Sequence, residues 1–470
     1  MIALIALIAV SVSFLGNAGL VGPDEPRFAS IGREMALSGD WITPRLWGAP
    51  WFEKPALLYW LIACACKIGL RDELAARLPS ALCGASFLVF SWWALRRLGR
   101  SAEALLAAVL LAAAAGWMAV SDVAATDMPL AASFNASLLA GLLWLDTKRV
   151  RWSLAAGVFL GLALLAKGLV GAVLFLPFLW FARREIRGLL VLFAAALLVA
   201  LPWYAAVTSR NGMEFVRVFF LQHHFSRFTQ PGLQHVQPFW FYLPVLLGLI
   251  VPWTPLLILL RRSTFKDHLE QVLVSVAGFG FVFFSLSTNK LPGYLLPLLP
   301  AVCLLLARAL ARMPSPRTLA ACGALLALMP LVSAALPQIL LAGLRRASLG
   351  GVPWQYFALA AAAAIASWWL ARHRGSAAAV ALLGLLTAAA WLQMKLVALP
   401  EVDRRVSARF LWRQVEQHRE EACVASLNRA LRYGLNYYSV TPLPDCSAAP
   451  RPYQITQPQG QPPVLIPLQP

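Results

Sequence analysis

The sequence predicts a mostly α, polytopic membrane protein: a bundle of about 13 transmembrane helices with a small extracytoplasmic α/β domain at its C-terminus. Three observations lead there. Of 470 residues, 60% are hydrophobic and only 13% charged, with a mean hydropathy of +0.69, which no soluble globular composition approaches. Apolar runs of membrane length recur along the chain. From residue 400 the runs stop, and charged, Asn, Tyr and Pro residues take over.

The 40 Lys and Arg against 21 Asp and Glu give a net charge of +19. In a soluble chain this would favour nucleic acid. Here the basic residues punctuate apolar segments, so membrane lipids are the expected partner and nucleic acid is not.

Residues 2–20 are apolar over a bilayer's width, lack a basic leader and reach Gly22-Pro23 without a small-x-small cleavage site, which reads as a retained first helix. Further runs lie near 57–70, 74–95, 104–120, 129–145, 153–166, 168–182, 188–207, 239–260, 271–287, 294–311, 318–341, 355–371 and 376–396. Arg96-Arg97-Arg100, Lys148-Arg149-Arg151, Arg183-Arg184-Arg187, Arg261-Arg262-Lys266, Arg308-Arg312-Arg317 and Arg372-Arg374 mark cytoplasmic connections and anchors. That parity puts the N-terminus in the cytoplasm, makes 57–70 re-entrant or interfacial and leaves the C-terminus outside. Arg345-Arg346 runs against the rule on a short outer loop.

The chain divides into a membrane domain, 1–399, with outer loops 21–75 and 208–238, and a soluble domain and tail, 400–470. Within the latter, "ACVASLNRALRYGLNYYSV" alternates enough for a helix and a strand, and the Pro- and Gln-rich 449–470 reads as an irregular tail. Cys64, Cys66, Cys83, Cys303 and Cys322 sit in or beside membrane segments as small hydrophobes. Cys423 and Cys446 share the outer domain, where an oxidising compartment would allow a disulfide.

The outer face collects the ionisable residues, which are costly near a bilayer and mark a pathway or a site. Asp24-Glu25 follows the first apolar run between Pro23 and Pro26, and a carboxylate there suits a general base or a metal ligand. The simpler alternative is a pair of solvated acids opening the amphipathic "PRFASIGREMALSG", and it fits Glu25 better than Asp24. Arg27 lies one turn on, and "FEKP" supplies Glu53 and Lys54; cations at that depth suit a phosphate under the headgroups, although either could simply snorkel. Asp127, before Pro129, fits a helix cap as well as a site. His223, His224, Arg227 and His235 share one outer loop, a pattern for metal or phosphate that also occurs as interface histidines. Lys290, ahead of Pro292-Gly293, and Lys167-Gly168 are turns on the same side.

Together "PDEPRFASIGREMALSGDWITPRLWGAPWFEKPALLYW", "ATDMPLAA", "HHFSRFTQPGLQHVQPFWFYLPVLLGLIVPW" and "STNKLPGYLLPLLPA" resemble the membrane glycosyltransferases of the GT-C fold, in the branch related to protein mannosyltransferases and nearest the lipid A aminoarabinose transferases. The resemblance spans roughly residues 1–310. It implies a GT-C bundle in the bacterial inner membrane, a polyprenyl-phosphate-linked sugar as donor, and transfer with inversion on the periplasmic side to lipid A or another envelope acceptor. By the same resemblance Asp24 matches the catalytic carboxylate and Asp127 a second important acid. Arg27, Lys54 and Arg227, with Lys290, match donor-phosphate positions, and Glu53 with His224 a pair that can hold a divalent metal (Zn, Mg or Mn). The chain has His223-His224 where such proteins often have Glu-His, and a shorter soluble tail. No organic cofactor is called for, and a monomer is expected. Rival readings are protein O-mannosyltransferase-like transfer to protein, a diphosphate-donor glycan ligase, which would lean on arginines in a large outer loop, and a lipid or sugar transporter, which would carry charges near the midplane and inverted repeats.

Overall fold

A computed structural model describes residues 1–226, 236–261, 265, 267–342, 354–458 and 461–467. Among these, eight helices are long and apolar enough to cross a bilayer, or up to ten if each of two bent pairs is one span. The chain is a multi-pass membrane protein, but the expected count of about 13 crossings is not reached by these helices.

In chain order the first half comprises α1 (Ile2–Val12), α2 (Asp24–Ser38), a small hairpin of β1 (Arg45–Leu46) and β2 (Ala49–Pro50), α3 (Leu57–Lys67), α4 (Asp72–Arg97), α5 (Ser101–Ala112), α6 (Ala115–Ser121), α7 (Asp127–Thr147), α8 (Val150–Lys167), α9 (Val170–Ala182) and α10 (Ile186–Val216). The second half adds helices His268–Leu286, Leu299–Arg312, Pro316–Leu326, Met329–Ala342, Trp354–His373 and Ser376–Gln393. Apolar all round, α7 runs through the middle: it packs on α4, α8 and the Pro292–Leu298 turn, and buries Phe134, Leu138 and Leu142 in the main core. Gly157 and Gly161, four residues apart, let α8 lie directly on α10, since a Cβ at Gly157 would stand 2.2 Å from the Leu192 carbonyl oxygen. That close packing places Lys167, the last residue of α8.

Several expectations need correction. The first helix stops at Val12, and residues 13–23 are largely non-helical. Cations satisfy the freed carbonyls: Lys395 donates to Val10 and Ser13, and Arg77 to Leu15, Ala18 and Gly19. The runs 104–120 and 239–260 are broken by bends of 63° and 112°. The loop expected from residue 208 is helical at its start, because α10 continues to Val216 and π-helical turns follow over Arg217–Ser226. A positive φ of 64° at Gly212 turns the chain there without a Cβ penalty. In contrast, α3 has only 11 residues, too few to span.

The opposite face also differs from simple anchoring. The basic clusters there meet acids: Lys148 pairs with Glu185 at 2.6 Å and Arg100 with Asp267. Arg308, 1% exposed, binds Glu103 and Asp267 at 2.7 Å each and Glu270 at 3.1 Å. A buried guanidinium held by three carboxylates is a structural tie rather than a snorkelling anchor. Arg262, Lys266 and the Arg345-Arg346 pair lie outside the described residues.

The last long helix runs on through residue 400 as Leu399–Val406, since Glu401 pairs with Arg404 and Arg405 one turn ahead. The C-terminal domain then has helices Ala408–Val415 and Arg429–Tyr438 and strands β3 (Ala422–Ser426), β4 (Tyr453–Thr456) and β5 (Val464–Pro467). β4 is central, parallel to β3 and antiparallel to β5. The stretch expected to be an irregular tail thus supplies two strands, because Ile455 enters the domain core beside Val424 and Leu435. Cys423 and Cys446 form a disulfide with Cα atoms 4.9 Å apart.

Candidate active site

Pro23 precedes α2, so Asp24 and Glu25 fall in its first turn, where the helix dipole favours acids. One turn on, Arg27 is 6% exposed and turns back to Asp24, which is itself 53% exposed. Its other terminal nitrogen binds Glu53 at 3.0 Å, and Glu53 also accepts from Lys54 at 3.1 Å. The four charges therefore form one chain, Asp24–Arg27–Glu53–Lys54, assembled from two stretches of the first outer loop. Phe28, Trp51 and Tyr433 set their rings 5.4–5.8 Å from the Arg27 guanidinium. Arg27 Nε and the Tyr59 hydroxyl are buried and have no hydrogen-bond partner among the described residues. Tyr59 feels the charges of Glu53, Arg27 and Asp24.

Burial alone would raise the Glu53 carboxyl, yet Lys54, Arg27 and His223 together hold it well below the usual carboxylate range. Glu53 therefore stays ionised through neutral pH, and the stability this adds is lost only as pH falls below the ordinary carboxylate value toward the lowered one.

Glu25 is not a solvated loop acid. At 1% exposure it takes two bonds from Arg77, at 2.7 and 2.8 Å, and one each from the Val21 and Ala124 backbone N–H groups at 2.9 Å. Ala124 lies three residues before Asp127, so this buried pair ties the first loop to the start of α7. Asp127 is not a cap either: Lys167 holds its carboxylate at 2.6 Å, and the Lys167 ammonium lies 4.7 Å over the Tyr294 ring. Gly293 comes so near that a Cβ there would be 3.0 Å from Asp127 Oδ1.

Lys290, expected at the donor phosphate, sits in a buried turn. Its ammonium, 5% exposed, donates to the backbone carbonyls of Gln237 at 3.1 Å and of Ser287. Beside the Val236–Asn289 bridge it fastens two loops together. Arg227, His235 and the His224 side chain lie outside the described residues. Sequence reasoning passed over Arg77, Tyr59, Trp51 and Tyr433. Arg77, a lone cation inside an apolar helix in "AARLPSALC", carried a usable signal.

Residues 53–209 match the family profile described as dolichyl-phosphate-mannose-protein mannosyltransferase. The undecaprenyl phosphate-alpha-4-amino-4-deoxy-L-arabinose arabinosyl transferase of Pseudomonas aeruginosa (strain UCBPP-PA14) is 37% identical over 313 residues, 63% of this chain and 56% of that protein. Transferase 2 of that name from Pseudomonas fluorescens (strain Pf0-1) is 34% identical over 346 residues, 68% of this chain and 61% of that protein. The match thus spans little more than half the length of these curated relatives. The crystal structure of ArnT from Cupriavidus metallidurans bound to undecaprenyl phosphate superposes with a TM-score of 0.77 at 27% identity, covering 97% of this chain and 92% of that one. Arabinosyltransferase EmbB from Mycobacterium smegmatis shares the fold alone, with a TM-score of 0.51 at 15% identity, over 92% of this chain and 42% of that one.

The bundle, the charged face and these likenesses define the class: a polytopic membrane protein of the GT-C glycosyltransferase fold. Within that class the chain is ArnT-like in both sequence and structure.

Proposed function

We propose that the protein transfers a sugar from a polyprenyl monophosphate, undecaprenyl phosphate in a bacterium, to an acceptor at the periplasmic face of the inner membrane, with lipid A as acceptor and an aminoarabinose-type sugar as cargo. The observation that carries this reading is Arg27: buried among aromatic rings, shared between Asp24 and Glu53, and with Nε unsatisfied among the described residues. The names of the relatives supply the donor and the sugar.

Asp24 and Glu53 balance Arg27 and Lys54 before a donor arrives. A donor phosphate competes with the exposed Asp24 for Arg27 and takes Lys54 as its second cation, while Glu53 keeps both cations in place. Asp24, released, faces the sugar. The acceptor oxygen attacks the anomeric carbon from the side opposite the phosphate, the C–O bond to the phosphate breaks, and its electron pair stays on the phosphate oxygen beside Arg27 and Lys54. A phosphate acceptor needs no base. A hydroxyl acceptor gives its proton to Asp24. Asp127, held by Lys167, lines the same face as a second acid. Arg227 adds a further cation in this reading.

The described residues do not make a metal site. Both Glu53 oxygens already accept from cations, and no group of three His, Cys, Asp or Glu among the described residues is placed to hold a metal ion. A divalent ion between Glu53 and His224 stays a proposal that depends on His224. If such an ion serves the reaction, dialysis against EDTA is expected to lower transfer and one of Zn, Mg or Mn to restore it; unchanged transfer after chelation would dismiss it.

The direct test uses membranes, radiolabelled undecaprenyl-phosphate sugars, and label followed into lipid A and into protein. Lys54→Ala is expected to lower transfer roughly 10²-fold, the loss of one cation at the leaving phosphate. The mannosyltransferase profile over residues 53–209 favours protein as the second acceptor, and label in protein rather than lipid A would choose it. No transfer from any monophosphate donor would reject the reading.

A further inference from the structure

The C-terminal domain is not a passenger on the bundle. Its Arg429–Tyr438 helix, capped by the Asn428 side chain, rests on α2 and touches the first outer loop and the stretch before it through Tyr433, Tyr437 and Tyr438. The Tyr437 carbonyl accepts from Arg33 at 2.6 Å, and the Arg33 guanidinium lies 4.1 Å from the Tyr437 ring centre. The Tyr438 hydroxyl donates to Glu73 at 2.5 Å and accepts from the Leu20 N–H at 3.1 Å. Tyr433 stacks on Trp47, with ring centres 5.5 Å apart and planes inclined by 21°.

The same Tyr433 ring stands 5.8 Å from the Arg27 guanidinium, on which Trp51 and Phe28 also bear. Two of these three aromatic neighbours come from the loop that supplies the charged residues. The third arrives from almost the other end of the chain. The helix bearing it lies between Cys423 and Cys446, so the disulfide closes the segment that presents Tyr433.

We propose that Tyr433 is a positioning residue for the donor phosphate: its ring fixes the plane of the Arg27 guanidinium, and the disulfide-closed segment 423–446 holds that ring in place. The inference rests on the transferase reading. Arg27 must pass from Asp24 to an incoming phosphate without leaving Glu53, a rotation in place. Aromatic faces attract a guanidinium while leaving its hydrogen-bonding edge open, so they keep it in plane without competing with the phosphate. Docking of the domain has its own supports in Arg33, Glu73 and Leu20, none of which contacts Arg27. Removing the Tyr433 ring gives up one docking contact, its stacking on Trp47, and leaves these supports in place, so the melting temperature reports attachment of the domain separately from placement of Arg27.

The test measures undecaprenyl phosphate binding and transfer with the full-length protein in nanodiscs. Tyr433→Ala is expected to raise the Kd of undecaprenyl phosphate and the KM of the donor roughly 3- to 10-fold, the size of one cation–π contact, with kcat and melting temperature close to wild type. Tyr433→Phe, which keeps the ring, is expected to restore binding. Reduction of the disulfide is expected to weaken binding by the wild type and to add little in Tyr433→Ala, because both act through the same ring. Wild-type affinity in Tyr433→Ala would overturn the inference, as would a loss that Phe fails to restore. If the wild type itself binds no undecaprenyl phosphate, the transferase reading falls and the inference with it. Binding by the wild type with no effect of Tyr433→Ala removes the inference alone.

Discussion

Asp24→Asn is expected to lower sugar transfer roughly 10²- to 10⁴-fold, the range of a positioned acid or base acting on the reacting groups, without weakening the donor. The two effects separate because Asp24 is the exposed, replaceable partner of Arg27, whereas Glu53 is the buried one. Asn keeps the shape of the side chain but gives up the charge that competes with phosphate. Undecaprenyl phosphate should therefore bind Asp24→Asn at least as tightly as wild type while turnover collapses. Glu53→Gln is the contrast, since it loosens both cations. Kinetics with varied donor, together with direct binding of undecaprenyl phosphate, checks this. Turnover near wild type in Asp24→Asn would remove Asp24 from the chemistry, and weakened binding would show that Asp24 helps to hold the donor.

Arg77→Met is expected to cost about 3–5 kcal/mol of stability, as when one partner of a buried ion pair is removed. Glu25, at 1% exposure, would lose its cationic partner, and the carbonyls of Leu15, Ala18 and Gly19 would each lose a donor. Those carbonyls belong to the non-helical stretch after α1, whose backbone depends on the guanidinium. Glu25 also releases Ala124, so the start of α7 and with it Asp127 should shift relative to Asp24. The expected result is a large fall in melting temperature in detergent and loss of transfer even in protein that remains folded. Replacing both partners, Glu25→Leu with Arg77→Met, should recover part of the stability but not the transfer, since the carbonyls stay unserved. A single variant as stable as wild type would show that water takes over the task of Arg77.

Much of the site could be read directly from residues. Asp24, Arg27, Glu53 and Lys54 stood out as charges beside apolar runs, and the structure joins all four in one chain of ion pairs. Asp127 and Lys167 were each placed on the outer face, but nothing local indicated that they bind each other across 40 residues. Glu25 read as a surface acid because its partner, Arg77, is 52 residues away in a different helix. The sequence shows the charge of Lys290 but not the carbonyls of Gln237 and Ser287 that receive its ammonium. Tyr433 was invisible as a site residue. Its contact with Arg27 exists only once the C-terminal domain has docked.

By itself the sequence determined the environment of the chain: apolar composition forces it into lipid, and acids and bases collect beside the apolar runs. Only the tertiary structure decided where helices begin and break. The apolar stretch 2–20 ends its helix at Val12 because Lys395 and Arg77, from distant helices, bond the carbonyls that a continuing helix would have satisfied itself. Burial in lipid depends on a residue's own transfer energy and is local, so composition reveals it. Pairing of a buried charge depends on which remote group arrives at hydrogen-bond distance, and that is a property of the packed bundle.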